Sequence, residues 1–187
     1  MINRTCFIER FSYLYLCIAH SSNRLIFTAA PALVPVATGI LPRFTVNGAD
    51  FATYGANGLV AFTNYNPTSA TNLNLASLTD TVKVNAGFTT NTTLFGSRTI
   101  NALAIDGAGI NVGGATTLTL TTSGVLVTGG SNTLSTNVVA LGGTTGAFHI
   151  GTGAALNVTG AITGTAGLIK ALDGSLTLSA PQYYTGT

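Results

Sequence analysis

The sequence predicts an all-β fold in which short strands wind into stacked coils, a β-solenoid. From Thr81 onward, short apolar runs recur with strand starts about every eight residues, so that three strands make a coil of about two dozen residues. Gly, Asn or Asp punctuates almost every gap between these runs, as at Asp106-Gly107 and Gly142-Gly143. No segment has helical periodicity, and each Gly inside a helix costs about 1 kcal/mol relative to Ala.

Residues 1–30 differ from the rest of the chain and are interpreted as an unmatched leader or a misassigned upstream extension. They contain both cysteines, and the sequence leaves open whether Cys6 and Cys17 form a disulfide. Basic residues precede an apolar run from Phe11 to Ala19, which is the order of a secretory signal, but the run is barely long enough for one. Prolines interrupt the next apolar run, 25–41, so no continuous spanning helix is expected there.

Residues 31–80 are predicted to form lead-in strands and a loop. Phe44–Val46 is followed by the turn signal Asn47-Gly48, and Leu59–Phe62 follows a second Asn-Gly pair. The polar, turn-rich stretch 66–80 predicts a loop.

Residues 81–187 are predicted to form the solenoid coils, ending within a repeat. Many of their apolar runs alternate with polar residues, which turns one side of each strand inward. In a solenoid, each strand stacks in parallel on its counterpart about 4.8 Å along the axis. A sandwich or barrel also uses short, regular strands. The tight, uniform turns and the lack of a long loop after Thr81 favour the solenoid. The predicted strands are centred on Val82–Val84, Ile100–Ile105, Ile110–Val112, Leu118–Leu120, Val125–Val127, Val138–Leu141, Phe148–Ile150, Leu156–Val158, Leu168–Lys170 and Leu176–Leu178.

Charge is scarce and argues against a nucleic-acid partner. Charged residues make up 6% of the 187, and the formal net charge is +2. The excess of positive charge lies in residues 1–43, and from Phe44 onward the net charge is −1. Nucleic-acid binding needs clustered Lys and Arg. Solubility is therefore expected to depend on Thr, Ser and Asn, and open strand edges become an aggregation risk.

No catalytic constellation, metal site or cofactor site is predicted. His149 alternates with apolar neighbours and is interpreted as an exposed strand histidine pointing outward. Each Asp lies beside a turn and is expected to cap that turn through its own backbone, without pairing between carboxylates. Tyr183 and Tyr184 are expected to cover a corner or a coil end. The aspartates concerned are Asp50, Asp80, Asp106 and Asp173.

The tail of the chain contains the most specific pattern. Two alternating runs, 168–170 and 176–178, are separated by a Gly-containing turn and followed by a Tyr-Thr-Gly corner. This pattern resembles the autotransporter-associated β-strand repeat, also called the passenger-associated transport repeat, of bacterial passenger proteins. The resemblance covers 161–187 well and 40–187 loosely. The residues that match the repeat motif are Leu168, Lys170, Gly174, Leu176, Leu178, Ser179, Tyr184, Thr185 and Gly186.

The same copy of the repeat departs from the family pattern at three corners. Leu172, Ala180 and Gln182 stand where the family usually has Gly, Gly and Asn, so these corners are expected to be stiffer or distorted. Lys170 is interpreted as an outward residue that keeps the coil face soluble.

The resemblance implies a right-handed parallel β-helix that is exported through the outer membrane and secreted or displayed on the surface of a Gram-negative-type bacterium. It also implies neighbouring coils and a C-terminal translocator barrel as partners, so that the chain is interpreted as a fragment of a passenger. The expected function is a structural stem, not an enzyme, that supports adhesion and folds coil by coil during secretion.

Two alternative interpretations stay open at this point, and the solenoid fold has one consequence for the isolated chain. A β-helical polysaccharide-acting enzyme or carbohydrate-binding module is the second hypothesis, and a cluster of Asp, Glu and aromatic residues on one coil face would favour it. A nonfunctional reading frame is the third. Both solenoid ends are expected to expose unpaired strands, which predicts end-to-end self-association of the isolated chain.

Overall fold

The predicted all-β solenoid is confirmed. The structure is a computed structural model, and it describes residues 16–19, 24–36, 39–66, 72–85 and 92–186. Within these ranges there is no α-helix, and the one helical element is a 3₁₀ turn at Leu73–Leu75. Parallel strands stack into a solenoid of about four turns.

Three parallel sheets form the walls of the solenoid, and the longer strands bend from one wall into the next. The strands are β6 (Thr81–Asn85), β7 (Arg98–Asp106), β8 (Asn111–Val127), β9 (Ser131–Leu141), β10 (Gly146–Ile150), β11 (Ala155–Val158), β12 (Ala161–Gly164), β13 (Leu168–Ala171), β14 (Ser175–Leu178) and β15 (Tyr183–Tyr184). Sheet A contains β6, the ends of β7 and β8, β10 and β13. Sheet B contains the start of β8, the start of β9, β11 and β14. Sheet C contains the start of β7, the middle of β8, the end of β9, β12 and β15.

The register of sheet A sets the coil length. Val82 pairs with Leu103, Leu103 with Val125, and Val125 with Phe148, which are steps of 21, 22 and 23 residues. The expected coil of about two dozen residues is therefore confirmed. The three strands predicted between 110 and 127 are instead one continuous strand, because the ladder continues through both of its bends with only a shift of register.

The core is a stack of like side chains. The paired residues Val82, Leu103, Val125 and Phe148 are all fully buried and belong to one hydrophobic cluster that runs through the solenoid. Each rung therefore packs against the same kind of side chain in the next rung, which suits β-branched and leucine side chains.

Buried side-chain amides satisfy backbone groups at the corners. The Asn132 amide donates to the carbonyls of Gly107 and Gly129, at 2.9 and 2.8 Å, and its oxygen accepts from the Ile110 amide at 3.0 Å. Buried polar groups are costly unless they are hydrogen-bonded. Asn132 thus closes a corner where the backbone turns away from the ladder.

A three-stranded antiparallel sheet covers the outside of sheet A. This cover sheet consists of β3 (Leu41–Val46), β4 (Asp50–Gly55) and β5 (Gly58–Ala61). A second buried cluster fills the space between the two sheets, and it contains Ile40, Phe51, Phe62, Ala102, Ala104 and Leu126. The small residues of β7 leave room for the aromatic rings, and β7 reads as a near-continuous apolar run because it is buried on both sides.

The described strands of the leader region form a hairpin, and the second strand of that hairpin contacts the cover sheet. Strands β1 (Leu16–Ala19) and β2 (Arg24–Phe27) pair as an antiparallel hairpin. The Arg24 guanidinium donates to the Asn57 and Ala56 carbonyls, both at 2.9 Å, and to the Asn57 side chain at 2.6 Å. Residues 1–15, where the signal-like order begins and Cys6 lies, are outside the described residues.

The N-terminal end of the solenoid is partly capped, although β6 pairs only with β7 among the described strands. There the 3₁₀ turn lies over the core, with Leu73 and Ala76 buried in the main cluster. The Asn74 side chain donates to the Thr93 carbonyl and accepts from the Phe95 amide, both at 2.9 Å, which satisfies part of that strand edge. The stretch 66–80, predicted as a loop, thus contains a cap; residues 67–71 are outside the described residues.

Candidate functional site

Charged residues that are far apart in the sequence meet where the cover sheet joins sheet A. Lys83 lies on the outer side of sheet A, in the row that continues through Ala104 and Leu126. Its Nζ is 2.9 Å from Asp50 Oδ1 and 3.6 Å from Asp106 Oδ2. We call Asp50, Tyr65, Lys83 and Asp106 the Lys83 cluster.

Tyr65 completes the Lys83 cluster as a hydrogen-bond donor. Its hydroxyl donates to Asp50 Oδ1 at 3.1 Å and accepts from the Phe51 amide at 3.3 Å. Its ring centroid lies 5.2 Å from Lys83 Nζ, a cation–π distance. Burial, and then the nearby Asp50 charge, raise the pKa of Tyr65 far above its usual value. Both effects favour the protonated hydroxyl, the form that donates to Asp50.

The Lys83 cluster has the properties of a clamp between two layers. Asp50 begins β4 of the cover sheet, whereas Lys83 and Asp106 belong to the coils. Asp106 also accepts from Thr128 Oγ1 at 2.6 Å, one coil further on. Since Lys83 contacts both carboxylates and the Tyr65 and Thr128 hydroxyls donate to them, the arrangement favours holding the layers together over chemistry on a substrate.

The expectation that each aspartate caps its own turn is only partly right. Asp80 behaves so, because its Oδ2 accepts from the Ser77 amide at 2.8 Å. Asp50 and Asp106 instead share Lys83. Asp173 accepts from Thr152 Oγ1 at 3.5 Å. Coil stacking brings Asp106 to Lys83 and Asp173 to Thr152, whereas the packing of the cover sheet brings Asp50 to Lys83. Sequence distance alone does not reveal these pairs.

A cleft of about 270 Å³ lies beside the Lys83 cluster. Its walls combine aromatic, amide and carboxylate groups, which is a composition that can contact a polar ligand. The residues that line it are Pro35, Phe62, Asn64, Tyr65, Asn66, Thr79, Asp80 and Thr81.

His149 points outward from the solenoid as expected, but the prediction that it is exposed is wrong. The cover sheet buries it, and only 4% of its surface is accessible. Its Nε2 is 2.9 Å from the Pro42 carbonyl oxygen, and its ring meets Phe51 edge-on with 6.3 Å between centroids. Desolvation lowers the pKa of His149, and the Pro42 carbonyl opposes this in part. The side chain joins the cover sheet to β10.

The residues of the repeat motif form the last coil of the solenoid. Leu168, Leu176, Leu178 and Tyr184 are partly buried and pack against the main core. Ser179 Oγ donates to Asn157 Oδ1 of the preceding coil at 2.7 Å, and the Thr185 amide donates to the Gly164 carbonyl at 3.1 Å. A Cβ added to Gly174 would lie 2.3 Å from the Gly151 carbonyl oxygen, and one added to Gly186 would lie 2.1 Å from the Gly167 nitrogen.

One motif position differs from its sequence interpretation. Lys170 pairs with Phe148, whose ring lies in the core, so Lys170 occupies an inward row and is not an outward residue. Its ammonium is exposed and donates to the Leu172 carbonyl. Leu172 has φ of 65°, the left-handed region that favours Gly, so this corner is strained as expected.

Sequence reasoning missed Lys83 and Tyr65 as interacting residues. Lys83 stands between two buried valines of β6, and the alternation could have placed it on the outer side of the sheet. What alternation cannot show is that a second sheet covers that side and supplies Asp50.

Comparisons with known proteins identify no relative. No family model matches the chain, and no curated protein or solved structure matches it significantly. Among the described residues, no group of three or more His, Cys, Asp or Glu side chains could hold a metal ion. None of the described helical segments has the length and apolar character to cross a bilayer.

Proposed function

We propose that the chain is a structural stem segment of an exported or surface-displayed bacterial passenger of the autotransporter type. The observation that carries the proposal is the coil-on-coil register of sheet A, in which each rung presents its successor with a matching row of side chains. A rung of this kind can serve as a template, so folding can advance one coil at a time as a chain emerges from a membrane.

The composition of the surface supports the same proposal. The ion pairs among the described residues belong to the Lys83 cluster. The outer rows of the coils are mostly Thr, Ser, Asn and Ala. The proposed partners are neighbouring coils of the same passenger and a translocator barrel. For adhesion, the proposed binding target is a host or matrix ligand.

Surface labelling tests the proposal directly. Antibodies raised against the chain should label intact cells of the bacterium that encodes it, and externally added protease should remove the label. An antibody against a periplasmic protein, which should label only permeabilised cells, is the matched control. Label found only after permeabilisation would contradict surface display.

The cleft beside the Lys83 cluster favours a second candidate function, a carbohydrate-binding module or a polysaccharide-acting enzyme. Its lining contains Phe62, Tyr65 and Asp80, an aromatic and carboxylate combination that can contact a sugar. Co-sedimentation of the chain with insoluble polysaccharides, and release of reducing ends from soluble ones, test it. If the wild-type chain binds a polysaccharide and the Asp80→Asn variant does not, the result supports this candidate. If both bind equally well, the polysaccharide binds outside the cleft.

A further inference from the structure

We propose that the cleft beside the Lys83 cluster selects a sugar ring that has a protonated amine, as in a glucosamine oligomer, over the same ring without charge. The inference rests on the second candidate function, binding of a polysaccharide, and adds the class of sugar. It is independent of surface display, which the antibody experiment tests separately.

The cleft has a buried floor and an open rim. Phe62 and Thr81 form the floor and are 4% and 2% exposed, whereas Asn64 and Thr79 are exposed at the rim. The volume of about 270 Å³ lies just below the range of about 300–1,000 Å³ that is usual for ligand pockets. That size favours a single ring as the occupant over a long segment of a polymer.

The lining offers partners for the hydroxyl groups and for the apolar side of a sugar ring. Asn64 and Asn66 have side-chain amides and Thr79 has a hydroxyl, and each of these groups can both donate and accept. Phe62 and Tyr65 meet edge-on with 5.0 Å between their ring centroids, so apolar surface lies next to the polar groups. A few placed polar groups beside aromatic rings are typical of a site for a small polar ligand.

Asp80 is the charged residue of the lining and is half-buried. Its Oδ2 accepts from the Ser77 amide at 2.8 Å, and no Lys or Arg among the described residues forms an ion pair with it. A half-buried carboxylate without a cation favours a ligand that provides one. A protonated amine on a sugar ring provides the positive charge together with N–H donors, which gives charge-assisted hydrogen bonds.

The charges next to the cleft favour the same class of ligand. Tyr65 belongs both to the lining and to the Lys83 cluster, where Lys83 contacts Asp50 and Asp106. These two carboxylates balance the Lys83 ammonium, and Asp80 adds a third. Because carboxylates outnumber ammonium groups here, the local field attracts a cation and repels an anion.

Titration calorimetry on the full chain with two matched trisaccharides tests the proposal. The glucosamine trisaccharide and cellotriose have the same rings and linkages, and the first has an amine in place of one hydroxyl on each ring. At about pH 6, where the amines are protonated, the wild-type chain should bind the glucosamine trisaccharide at least about tenfold more tightly. Equal affinities would overturn the preference for an amine and leave the polysaccharide candidate standing, whereas binding of neither trisaccharide would contradict both.

Asp80→Asn tests whether this carboxylate causes the preference. Asparagine retains an oxygen that can accept from the Ser77 amide, so the variant removes the charge and keeps the turn. It should bind the two trisaccharides with equal affinity. Asp173→Asn removes a carboxylate of the last coil and is the matched control, which should retain the full preference. Circular dichroism verifies that both variants are folded, and a preference that persists in folded Asp80→Asn would overturn the proposed site.

Two further titrations test the class of ligand. Cadaverine, an amine without a sugar ring, should bind at least about tenfold more weakly than the glucosamine trisaccharide, because it lacks the hydroxyls that the lining can contact. Equal binding of cadaverine would overturn the assignment to a sugar. Raising the pH to about 9 should abolish the preference, since an amine beside electron-withdrawing groups, like an α-amino group, loses its proton near about pH 8. A preference unchanged at about pH 9 would show that charge is not its cause.

Discussion

Replacing Gly142 by Ala should strongly destabilise the solenoid, although Gly142 lies in a corner. A Cβ built on Gly142 is 2.1 Å from the Thr121 carbonyl oxygen and 3.0 Å from the Leu120 carbonyl oxygen, both in the preceding coil. The Gly142 amide donates to that Leu120 oxygen at 2.8 Å. The close approach of two coils, not a positive φ, is what requires Gly here.

The structure sets the size of the effect. Restoring an ordinary contact of about 3.5 Å requires the two coils to separate by more than about 1 Å. That movement lengthens the 2.8 Å hydrogen bond of Gly142 beyond the usual limit of about 3.2 Å. Overpacking costs about 1–3 kcal/mol and the lost hydrogen bond about 1 kcal/mol, so we expect a loss of about 3 kcal/mol.

Urea unfolding followed by far-UV circular dichroism measures this loss. With a slope of about 2 kcal/mol per M, a loss of about 3 kcal/mol moves the midpoint down by about 1.5 M. Gly143 provides the matched control, because a Cβ at this neighbouring position meets nothing within 4 Å. Gly143→Ala should be neutral or stabilise by up to about 1 kcal/mol. Equal midpoints for the two variants would refute the reasoning about coil contact.

Three further predictions concern the corner, the buried histidine and the clamp. Leu172→Gly should be more stable than Leu172→Ala by about 1 kcal/mol in thermal unfolding, because both variants remove the side chain and only Gly adopts the positive φ without strain. Equal stability of the two variants would show that the backbone at residue 172 is not strained. Because burial lowers the pKa of His149, the unfolded chain binds its proton more readily, so stability should be full above about pH 6.5 and fall as the pH drops below it. In urea titrations between about pH 7.5 and 5.5, the free energy of unfolding should depend less on pH in His149→Gln than in the unmodified chain, while the His20→Gln control keeps the full dependence. If the dependence persists in His149→Gln, other groups cause it. Lys83→Met should cost about 1 kcal/mol, because its partners are partly solvated, and unchanged urea midpoints would show that the clamp contributes nothing.

The sequence predicted the coils because their physical signal is local. Alternation at Leu118–Leu120 and Leu156–Val158 shows which side of a strand faces inward, and paired glycines mark the corners between strands. Register follows from the spacing of those signals, since one coil must return each strand to its counterpart. The strained corner at Leu172 was also predictable, because Leu172 stands where the repeat that this segment resembles usually has Gly.

The cover sheet and its contacts were not predictable from the same signals. Strands near Phe44 and Leu59 were expected, but their pairing with each other and their packing on Ala102 and Ala104 are long-range choices. The consequence is clearest at His149, because alternation gives its direction correctly and says nothing about what lies on that side. Burial depends on a layer from another part of the chain.

Disulfide trapping tests the parallel coil stacking most directly. Thr119 pairs with Ala140 on sheet C, and Ala140 pairs with Thr163, so Thr119 and Thr163 lie two rungs apart. Neighbouring rungs are about 4.8 Å apart, within the Cα separation of about 4.4–6.8 Å that a disulfide spans, and a double step of about 9.6 Å is not. In a chain with both native cysteines replaced by Ser, T119C/A140C should oxidise to an internal disulfide and T119C/T163C should remain reduced. Bridging of the second pair in place of the first would contradict the stacked-coil register.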